Sequence, residues 1–274
     1  MFLSTLLIDT GTNPDRPRPG RLWLRNLYRV HQRLCMAFPS ARRKQADRDF
    51  LLPYLPDDFP EDRFSADAKP DTEEKTPRAV HAQRDEKSGF LFRVDPLPGG
   101  RAVILVLSAL EPDWPYAFHN AMHLLAAIPA SPRPLELNIA AGQRFRFRLL
   151  ANPTKRAALS KDQRQQKKAA GEKVKRPRHQ LTWNSDEDPE EIFRNWLGNK
   201  ADRAGFRLCE VAVGQIGYVY INKNRDGDQG QRLRSVRYEG VLEVTDANKL
   251  RQSLACGVGP AKAFGFGLLS LAPA

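Results

Sequence analysis

Short apolar or alternating segments, bounded by turn residues, mark the predicted strands of this chain. They lie at 2–8, 89–95, 101–108, 135–139, 143–150, 206–213, 217–223, 233–245 and 268–271. Between them, apolar residues recur at the spacing of amphipathic helices. The predicted helices span about 22–38, 115–128, 189–204 and 246–255. The chain therefore alternates strands and helices instead of grouping them by type.

Each half of the chain shows the order β-α-β-β-α-β, although the second half is less regular. This order is that of the ferredoxin-like unit. We predict an α+β fold of tandem ferredoxin-like domains with antiparallel sheets, the first over residues 1–140 and the second over residues 141–274. Periodicity disappears at about 51–80, where five prolines interrupt a strongly acidic stretch. That segment is predicted to be an insertion in the first domain.

The composition narrows the class of protein. The 274 residues are 41% hydrophobic, which is enough for a substantial core, and no apolar run approaches the ~20 residues of a membrane-spanning helix. The first residues show no positively charged leader, so no signal peptide is expected. The three cysteines are odd in number and lack C-x-x-C spacing, which argues against a disulfide framework or a zinc site. A cytoplasmic protein is expected.

The positive charge is concentrated in one segment. The chain carries 44 Lys and Arg against 32 Asp and Glu, and between 144 and 178 thirteen basic residues face only two acidic ones. Such a field attracts polyanions, of which nucleic acid is the commonest. A solvated basic loop without a partner is the alternative. The basic residues are Arg144, Arg146, Arg148, Lys155, Arg156, Lys161, Arg164, Lys167, Lys168, Lys173, Lys175, Arg176 and Arg178.

The first three of these arginines alternate with Phe145 and Phe147. Because side chains alternate across a strand, this pattern predicts a row of guanidinium groups on one face. Salt bridges with carboxylates from elsewhere in the chain could neutralise the row, and the sequence leaves both interpretations open.

Candidate acid–base chemistry lies on the first predicted helix. With about 100° per residue, His31 falls roughly 40° and Tyr28 roughly 100° from Leu27, which lies at the centre of the apolar face. His31 and Tyr28 are thus neighbours at the rim of the buried face, where an imidazole beside a phenol suits general acid–base catalysis. A structural histidine is the alternative. His119 and His123 lack the intervening glutamate of a zinc motif, and no metal site is predicted.

The glycine-rich segment 257–267 contains Lys262. Glycines let backbone N–H groups approach phosphates, and a lysine adds positive charge. A tight turn into a buried terminal strand explains the same glycines equally well.

Three segments, taken in order, resemble the CasE family, the CRISPR repeat-processing endoribonuclease of the type I-E Cascade complex. They are Leu27-Tyr-Arg-Val-His-Gln32, Leu150-Ala-Asn-Pro-Thr-Lys155, and the strand 236–242 that leads to the glycine-rich end. The resemblance covers roughly residues 1–50 and 84–274.

The resemblance implies a tandem ferredoxin-like protein that binds the stem-loop of a CRISPR repeat transcript and cuts once at the 3′ base of the stem. It implies a reaction without metal or cofactor, in which the ribose 2′-OH attacks the adjacent phosphate. His31 would be the general base or acid, and Tyr28 would orient the reacting groups. The RNA would contact Arg29, Arg33, Lys262 and the basic residues named above. The cut RNA would stay bound, with other Cascade subunits as partners and no membrane.

One position departs from the family's pattern. Some relatives have a lysine five residues after the histidine, and here that position is Met36. Arg29, Arg33 and Lys155 are the candidates for the missing cation, and slow catalysis is expected. A non-catalytic RNA-binding or structural subunit of a ribonucleoprotein complex is the alternative function.

Overall fold

The computed structural model describes residues 1–48 except 14, 17 and 40, then 84, 87, 89–157, 178–222 and 230–274. The predicted acidic insertion at 51–80 lies outside the described residues. So do seven of the basic residues predicted to bind RNA, namely Lys161, Arg164, Lys167, Lys168, Lys173, Lys175 and Arg176.

The first half forms a four-stranded antiparallel sheet with the strand order β2-β3-β1-β4. Its strands are β1 (Phe2–Asp9), β2 (Phe90–Leu97), β3 (Arg101–Ser108) and β4 (Arg133–Pro134). Its helices are α1 (Pro19–Leu24), α2 (Leu27–Cys35), α3 (Ala41–Ala46) and α4 (Trp114–Phe118). This order, with the first strand between the third and the fourth, is that of a ferredoxin-like unit.

The second half repeats the arrangement in a sheet of order β10-β5-β9-β8, again antiparallel. Its elements are β5 (Arg144–Ala151), the small ribbon of β6 (Thr154–Arg156) and β7 (Arg178–Gln180), α5 (Pro189–Ala204), β8 (Phe206–Ile221), β9 (Gln231–Val244), α6 (Ala247–Cys256) and β10 (Leu269–Pro273). The tandem ferredoxin-like fold predicted from the sequence is therefore confirmed. The division at residue 140 stays a prediction.

Several predicted elements differ from the observed ones. The single helix predicted over 22–38 is two helices, because Asn26 interrupts it and caps α2 by accepting a hydrogen bond from the Tyr28 N–H. The helix predicted over 115–128 is the short α4, followed by a 3₁₀ turn at Met122–Leu124. Residues 135–139 are not a strand; the edge strand β4 precedes them.

The two strands predicted at 206–213 and 217–223 are one strand, β8, with register shifts between Leu208 and Glu210 and between Val213 and Ile216. A bulge keeps a long strand continuous while turning its direction. The distal part of β8 and the facing part of β9 consequently extend towards the first half of the chain, where Asn222 meets Asn26.

Arg93 joins the two sheets. It is 4% exposed, and its Nε and Nη2 donate to the Asp95 carboxylate at 2.8–2.9 Å. Its Nη1 donates to Ser270 Oγ at 2.9 Å and to the Leu268 carbonyl oxygen at 3.4 Å on the second sheet. A charge buried between the two sheets is thus compensated from both sides.

Within the described residues, no helix combines the length and apolarity needed to cross a membrane. The three cysteines all belong to this part of the chain, and none forms a disulfide.

Candidate functional site

Helix α2 is the element that carries both predicted catalytic side chains. Its start is fixed twice by Asn26, whose side-chain oxygen accepts from the Tyr28 N–H and whose Nδ2 donates to the Asn222 carbonyl oxygen at 2.9 Å. The apolar face, with Leu27, Val30 and Leu34, packs into the first core. The direction of the remaining side chains of α2 is set by this packing.

His31 lies inside the protein. The residue is 2% exposed, and its ring stacks on Phe90 and Phe92 of β2 at centroid distances of 5.3 and 6.3 Å. Its Nε2 is 3.7 Å from the Cys35 Sγ, one turn further along α2. The expected position at the rim of the apolar face was wrong, because β2 covers a wider sector of the helix than its aliphatic residues indicate.

Tyr28 lies one turn before His31 and is half-buried. Its ring is 6.2 Å from that of Phe264 and packs on the cluster that contains Phe266, Ile221 and Leu233. The two predicted catalytic residues thus leave the same helix into different surroundings, His31 towards β2 and Tyr28 towards the C-terminal segment and the β8–β9 hairpin.

The glycine-rich segment packs directly on this site. At Gly265 the backbone has φ +77°, and a Cβ there would lie 3.3 Å from Phe92 and 3.5 Å from Leu27. Glycine is needed because an L side chain would strain the backbone and crowd two residues that surround His31. Close packing therefore accounts for Gly265, as the tight-turn interpretation predicted.

Two basic residues, Lys262 and Arg84, lie on segments that contact α2 or β2. Lys262 belongs to the same glycine-rich segment, and burial lowers the pKa of its ammonium, as do the charges of Arg84 and Arg178. Burial likewise lowers the pKa of the Arg84 guanidinium, which interacts electrostatically with Cys35, the neighbour of His31. Positive charges gathered in this way favour an anion between them.

Arg84 is held by its side chain and by its backbone, since its carbonyl oxygen accepts a hydrogen bond from the Cys256 Sγ at 3.1 Å. Its Nε donates at 3.0 Å to the carbonyl oxygen of Phe90, whose ring stacks on His31. Its Nη2 is buried and has no hydrogen-bond partner among the described residues. The sequence analysis missed Arg84 because its segment has neither the helical nor the strand spacing of apolar residues and contains no recognised motif.

The three cations proposed in place of the missing lysine lie elsewhere. Arg29 is exposed, and two residues along a helix place it on the side of α2 away from His31. Arg33 donates to the Ala117 carbonyl oxygen at 3.0 Å and to Asn120 Oδ1 at 3.2 Å, so it ties α2 to α4. Lys155 is exposed on β6. Met36 itself is buried.

A second group of cations surrounds the β6–β7 ribbon. Burial lowers the pKa of Lys200 on α5, and repulsion from Arg203, Arg178 and Arg156 lowers it further. The ribbon is fixed to α5 by a hydrogen bond from Trp196 Nε1 to the Thr154 carbonyl oxygen at 3.1 Å. This cationic surface, formed by Arg156, Arg178, Lys200 and Arg203, includes two residues that the sequence did not single out, and it suits a polyanion.

The row of arginines on β5 is not open. Arg144 pairs with Glu243 at 3.2 Å, and Arg148 pairs with Glu239 at 2.7 Å. The Arg146 Nε donates to the Pro273 carbonyl oxygen at 3.1 Å. Of the two interpretations that the sequence left open, the structure shows the salt-bridged row, because β9 places Glu243 and Glu239 directly opposite Arg144 and Arg148. A role of these three arginines in RNA binding stays a prediction.

Metal-binding chemistry has no candidate residues in the described part of the chain. There, no three His, Cys, Asp or Glu side chains come together in a way that could hold a metal ion.

Comparisons with known proteins place the chain among CRISPR-associated proteins. A family model described as CRISPR associated protein matches residues 72–273. The chain is 32% identical over 204 residues to the CRISPR-associated endoribonuclease Cse3 of Thermus thermophilus, a match that covers 70% of this chain and 83% of that protein. It is 29% identical over 273 residues to the Cascade subunit CasE of Escherichia coli, across the full length of both.

Among solved structures, the chain is similar to Thermus thermophilus Cse3 bound to an RNA that represents a pre-cleavage complex. The TM-score is 0.62 at 26% identity, over 99% of this chain and 98% of that one. The likeness therefore includes both ferredoxin-like units and their arrangement.

Proposed function

The chain belongs to the CasE family of CRISPR-associated proteins, and we propose that it is a metal-independent endoribonuclease that processes CRISPR precursor RNA. It binds the repeat stem-loop, cuts at the 3′ base of the stem by attack of the 2′-OH, and keeps the mature guide RNA. The observation that carries this proposal is that His31 stacks on Phe90, the residue whose carbonyl oxygen binds Arg84, in a fold shared with an RNA-bound endoribonuclease.

In this proposal His31 exchanges the proton. Its Nε2 lies 3.7 Å from the Cys35 Sγ, and its ring stacks on Phe90, whose carbonyl oxygen accepts a hydrogen bond from Arg84. An imidazole there serves as general base on the 2′-OH or as general acid on the leaving 5′-oxygen. Stacking on Phe90 and Phe92 fixes the ring plane, so that little orientation is lost when the RNA arrives. Tyr28 orients the reacting ribose from the neighbouring turn.

Arg84 and Lys262 take the role of the absent lysine. The pentacovalent phosphate gains negative charge in the transition state, and donors already in place stabilise it without reorganisation. Arg84 offers a buried guanidinium whose Nη2 has no hydrogen-bond partner among the described residues, and Lys262 offers an ammonium held by the C-terminal segment. Both lie on segments that contact α2 or β2. Arg29, in contrast, is on the side of α2 away from His31, and Arg33 binds α4.

The RNA stem is held by the cationic surface around the β6–β7 ribbon. A-form stems are recognised through shape and phosphates because their major groove is deep and narrow. Lys155, Arg156 and Arg178 line this ribbon, and the basic residues between β6 and β7 add to the same charge. Since a related protein is named as a Cascade subunit, we extend the proposal to membership of such a complex and to a cytoplasmic location.

The burial of His31 favours one competing function, a non-catalytic RNA-binding subunit. A histidine that is 2% exposed and stacked on two phenylalanines can be purely structural. The two functions differ in one outcome, the cleavage of bound RNA.

The test is incubation of excess protein with an RNA that carries the host's CRISPR repeat, in EDTA. We expect one cut below the stem, a 2′,3′-cyclic phosphate or its opened product, and no cut when the nucleotide at that site has a 2′-deoxyribose. His31→Ala should abolish cleavage and retain binding, whereas His123→Ala, an exposed histidine on a 3₁₀ turn, should cut normally. Tight binding by the wild type without any cut would establish the non-catalytic alternative.

A further inference from the structure

The end of the β8–β9 hairpin carries aromatic side chains on the surface. Tyr218 and Tyr220 are 38% and 61% exposed, and since they are two residues apart on β8 they share one face. Val219 and Ile221 alternate with them and pack on the opposite side, in the cluster that includes Tyr28 and Phe266. One face of the hairpin thus covers the catalytic helix, and the other presents two phenol rings to solvent.

Two arginines of β9 lie on the same outer face. Arg234 stands opposite Tyr218 in the strand register, and Arg232 stands opposite Tyr220. The Arg232 guanidinium carbon is 3.5 Å from the centroid of the Tyr218 ring and 5.8 Å from that of Tyr220. This is the arrangement of a guanidinium plane stacked on an aromatic ring.

Arg234 is the more deeply placed of the two, at 8% exposed. Its guanidinium carbon lies 4.4 Å from the Trp183 centroid, 4.9 Å from that of Tyr218 and 5.9 Å from that of Phe193. Its Nε is buried, and among the described residues nothing accepts a hydrogen bond from it. Arg234 therefore places a positive charge, little screened by water, beside the exposed ring of Tyr218.

We propose that Tyr218, Tyr220, Arg232 and Arg234 form a platform that stacks unpaired bases of the bound RNA and contacts the adjoining phosphates. The proposal rests on the proposed function and adds a second RNA-contacting surface to it. Exposed aromatic faces beside arginines bind single-stranded nucleic acid, since every base has a π face and every linkage a charge. A paired stem does not expose the faces of its internal bases.

The position of the platform agrees with this assignment. Gln180, the last residue of the β6–β7 ribbon, donates from Nε2 to the Arg232 carbonyl oxygen at 2.6 Å, so the platform adjoins the stem-binding surface. An RNA that lays its stem on the ribbon therefore brings its unpaired flank onto the platform. The other face of the hairpin packs on Tyr28, so the platform and the proposed cutting site lie on opposite faces of the same hairpin.

The test compares two RNAs, the minimal repeat hairpin and the same hairpin with unpaired nucleotides on both sides. Tyr218→Leu/Tyr220→Leu removes the π faces but keeps apolar bulk on the strand. We expect it to weaken binding of the flanked RNA roughly tenfold to a hundredfold, the effect of losing the stacking of one base. Binding of the minimal hairpin should not change. The matched control Tyr218→Phe/Tyr220→Phe keeps the rings and should bind both RNAs as the wild type does.

Equal affinity of the leucine and wild-type proteins for the flanked RNA would overturn the platform. An equal loss for both RNAs would also overturn it, since the contact would then be with the stem or with the fold. Arg232→Gln provides a second variant that leaves the rings in place, and it should weaken only the flanked RNA.

Failure of the proposed function is a separate result. If the wild type neither binds nor cuts the repeat, the platform is tested by measuring the binding of an unstructured RNA oligonucleotide. Weaker binding of that oligonucleotide by the leucine variant than by the phenylalanine variant would support the platform, and equal binding would overturn it.

Discussion

Replacing Arg84 by methionine should slow the cleavage step about a hundredfold to a thousandfold. Methionine keeps most of the length and apolar volume of the arginine but removes both the charge and the donors. In the wild type, Nε donates to the Phe90 carbonyl oxygen, and the buried Nη2 has no hydrogen-bond partner among the described residues, so Nη2 can donate a charge-assisted hydrogen bond to the phosphate.

The magnitude follows from the loss of one such hydrogen bond. Removing a single preorganised donor to a developing oxyanion costs about 2.7–4 kcal/mol, or roughly 10²–10³ in rate. Burial, which lowers the pKa of Arg84, also keeps water from screening its charge. Arg84→Lys should recover part of the rate, since lysine keeps the charge but not the planar fork that binds Phe90 and phosphate together.

The assay is single-turnover cleavage of the repeat RNA in EDTA with protein in excess, and binding is measured separately. We expect the loss in the rate constant at saturation and only a small change in Kd, because the new charge exists in the transition state alone. Arg133→Met, on the edge strand β4, is the matched control and should cut at the wild-type rate.

An unchanged saturating rate for Arg84→Met would refute the assignment of Arg84 to the phosphate. A loss confined to Kd would refute it as well, because it would show a ground-state contact only. Because Arg84→Met also removes the donor to the Phe90 carbonyl oxygen, the variant could be less stable than the wild type. Its thermal melting is therefore measured, to distinguish a loss of catalysis from a loss of folded protein.

Three further outcomes are expected. Arg93→Leu should destabilise the fold by about 3–5 kcal/mol in urea unfolding, because it leaves the Asp95 carboxylate buried without its ion-pair partner. The double variant Arg93→Leu/Asp95→Leu should recover part of that loss. A cost of Arg93→Leu below about 1 kcal/mol would contradict a stabilising role of this buried ion pair. Asn26→Ala should cost about 1 kcal/mol in thermal unfolding through loss of the helix cap, and an unchanged melting temperature would show that the cap is dispensable. Lys200→Gln should lower the slope of log Kd against log salt by about 1 in RNA binding, and an unchanged slope would exclude Lys200 from the phosphate contacts.

The fold was predictable where local pattern and tertiary structure agree. The hairpin of β2 and β3 and the helix at 189–204 were predicted because their apolar spacing matches one buried face. The errors came from local polar chemistry and from bulges. Asn26 can continue a helix or cap one, and its partner Asn222 lies 196 residues away. Likewise, the break predicted between residues 213 and 217 coincides with the second register shift of β8, where the strand continues through a bulge instead of ending.

The site was predictable only in part, for a related reason. Helical spacing and the family resemblance singled out His31 and Tyr28, because both lie on one local element. The depth of His31 depends on Phe90 and Phe92, which approach it from a strand far along the chain. Arg84 and the tyrosine–arginine platform were missed because each is defined by contacts with residues of another element, which the sequence pattern does not show.

The burial of His31 is consistent with a protein that cuts each RNA once. Exposing a stacked imidazole has a free-energy cost, and an enzyme of many turnovers meets that cost in every cycle. A subunit that keeps its product meets that cost a single time, while contacts distant from the cut continue to stabilise the complex. On the proposed function, the ribbon cations and the platform supply such contacts on the outer side of the hairpin, away from the inner face that covers Tyr28. Fast exchange of the cut stem-loop with free RNA would contradict this account of retention.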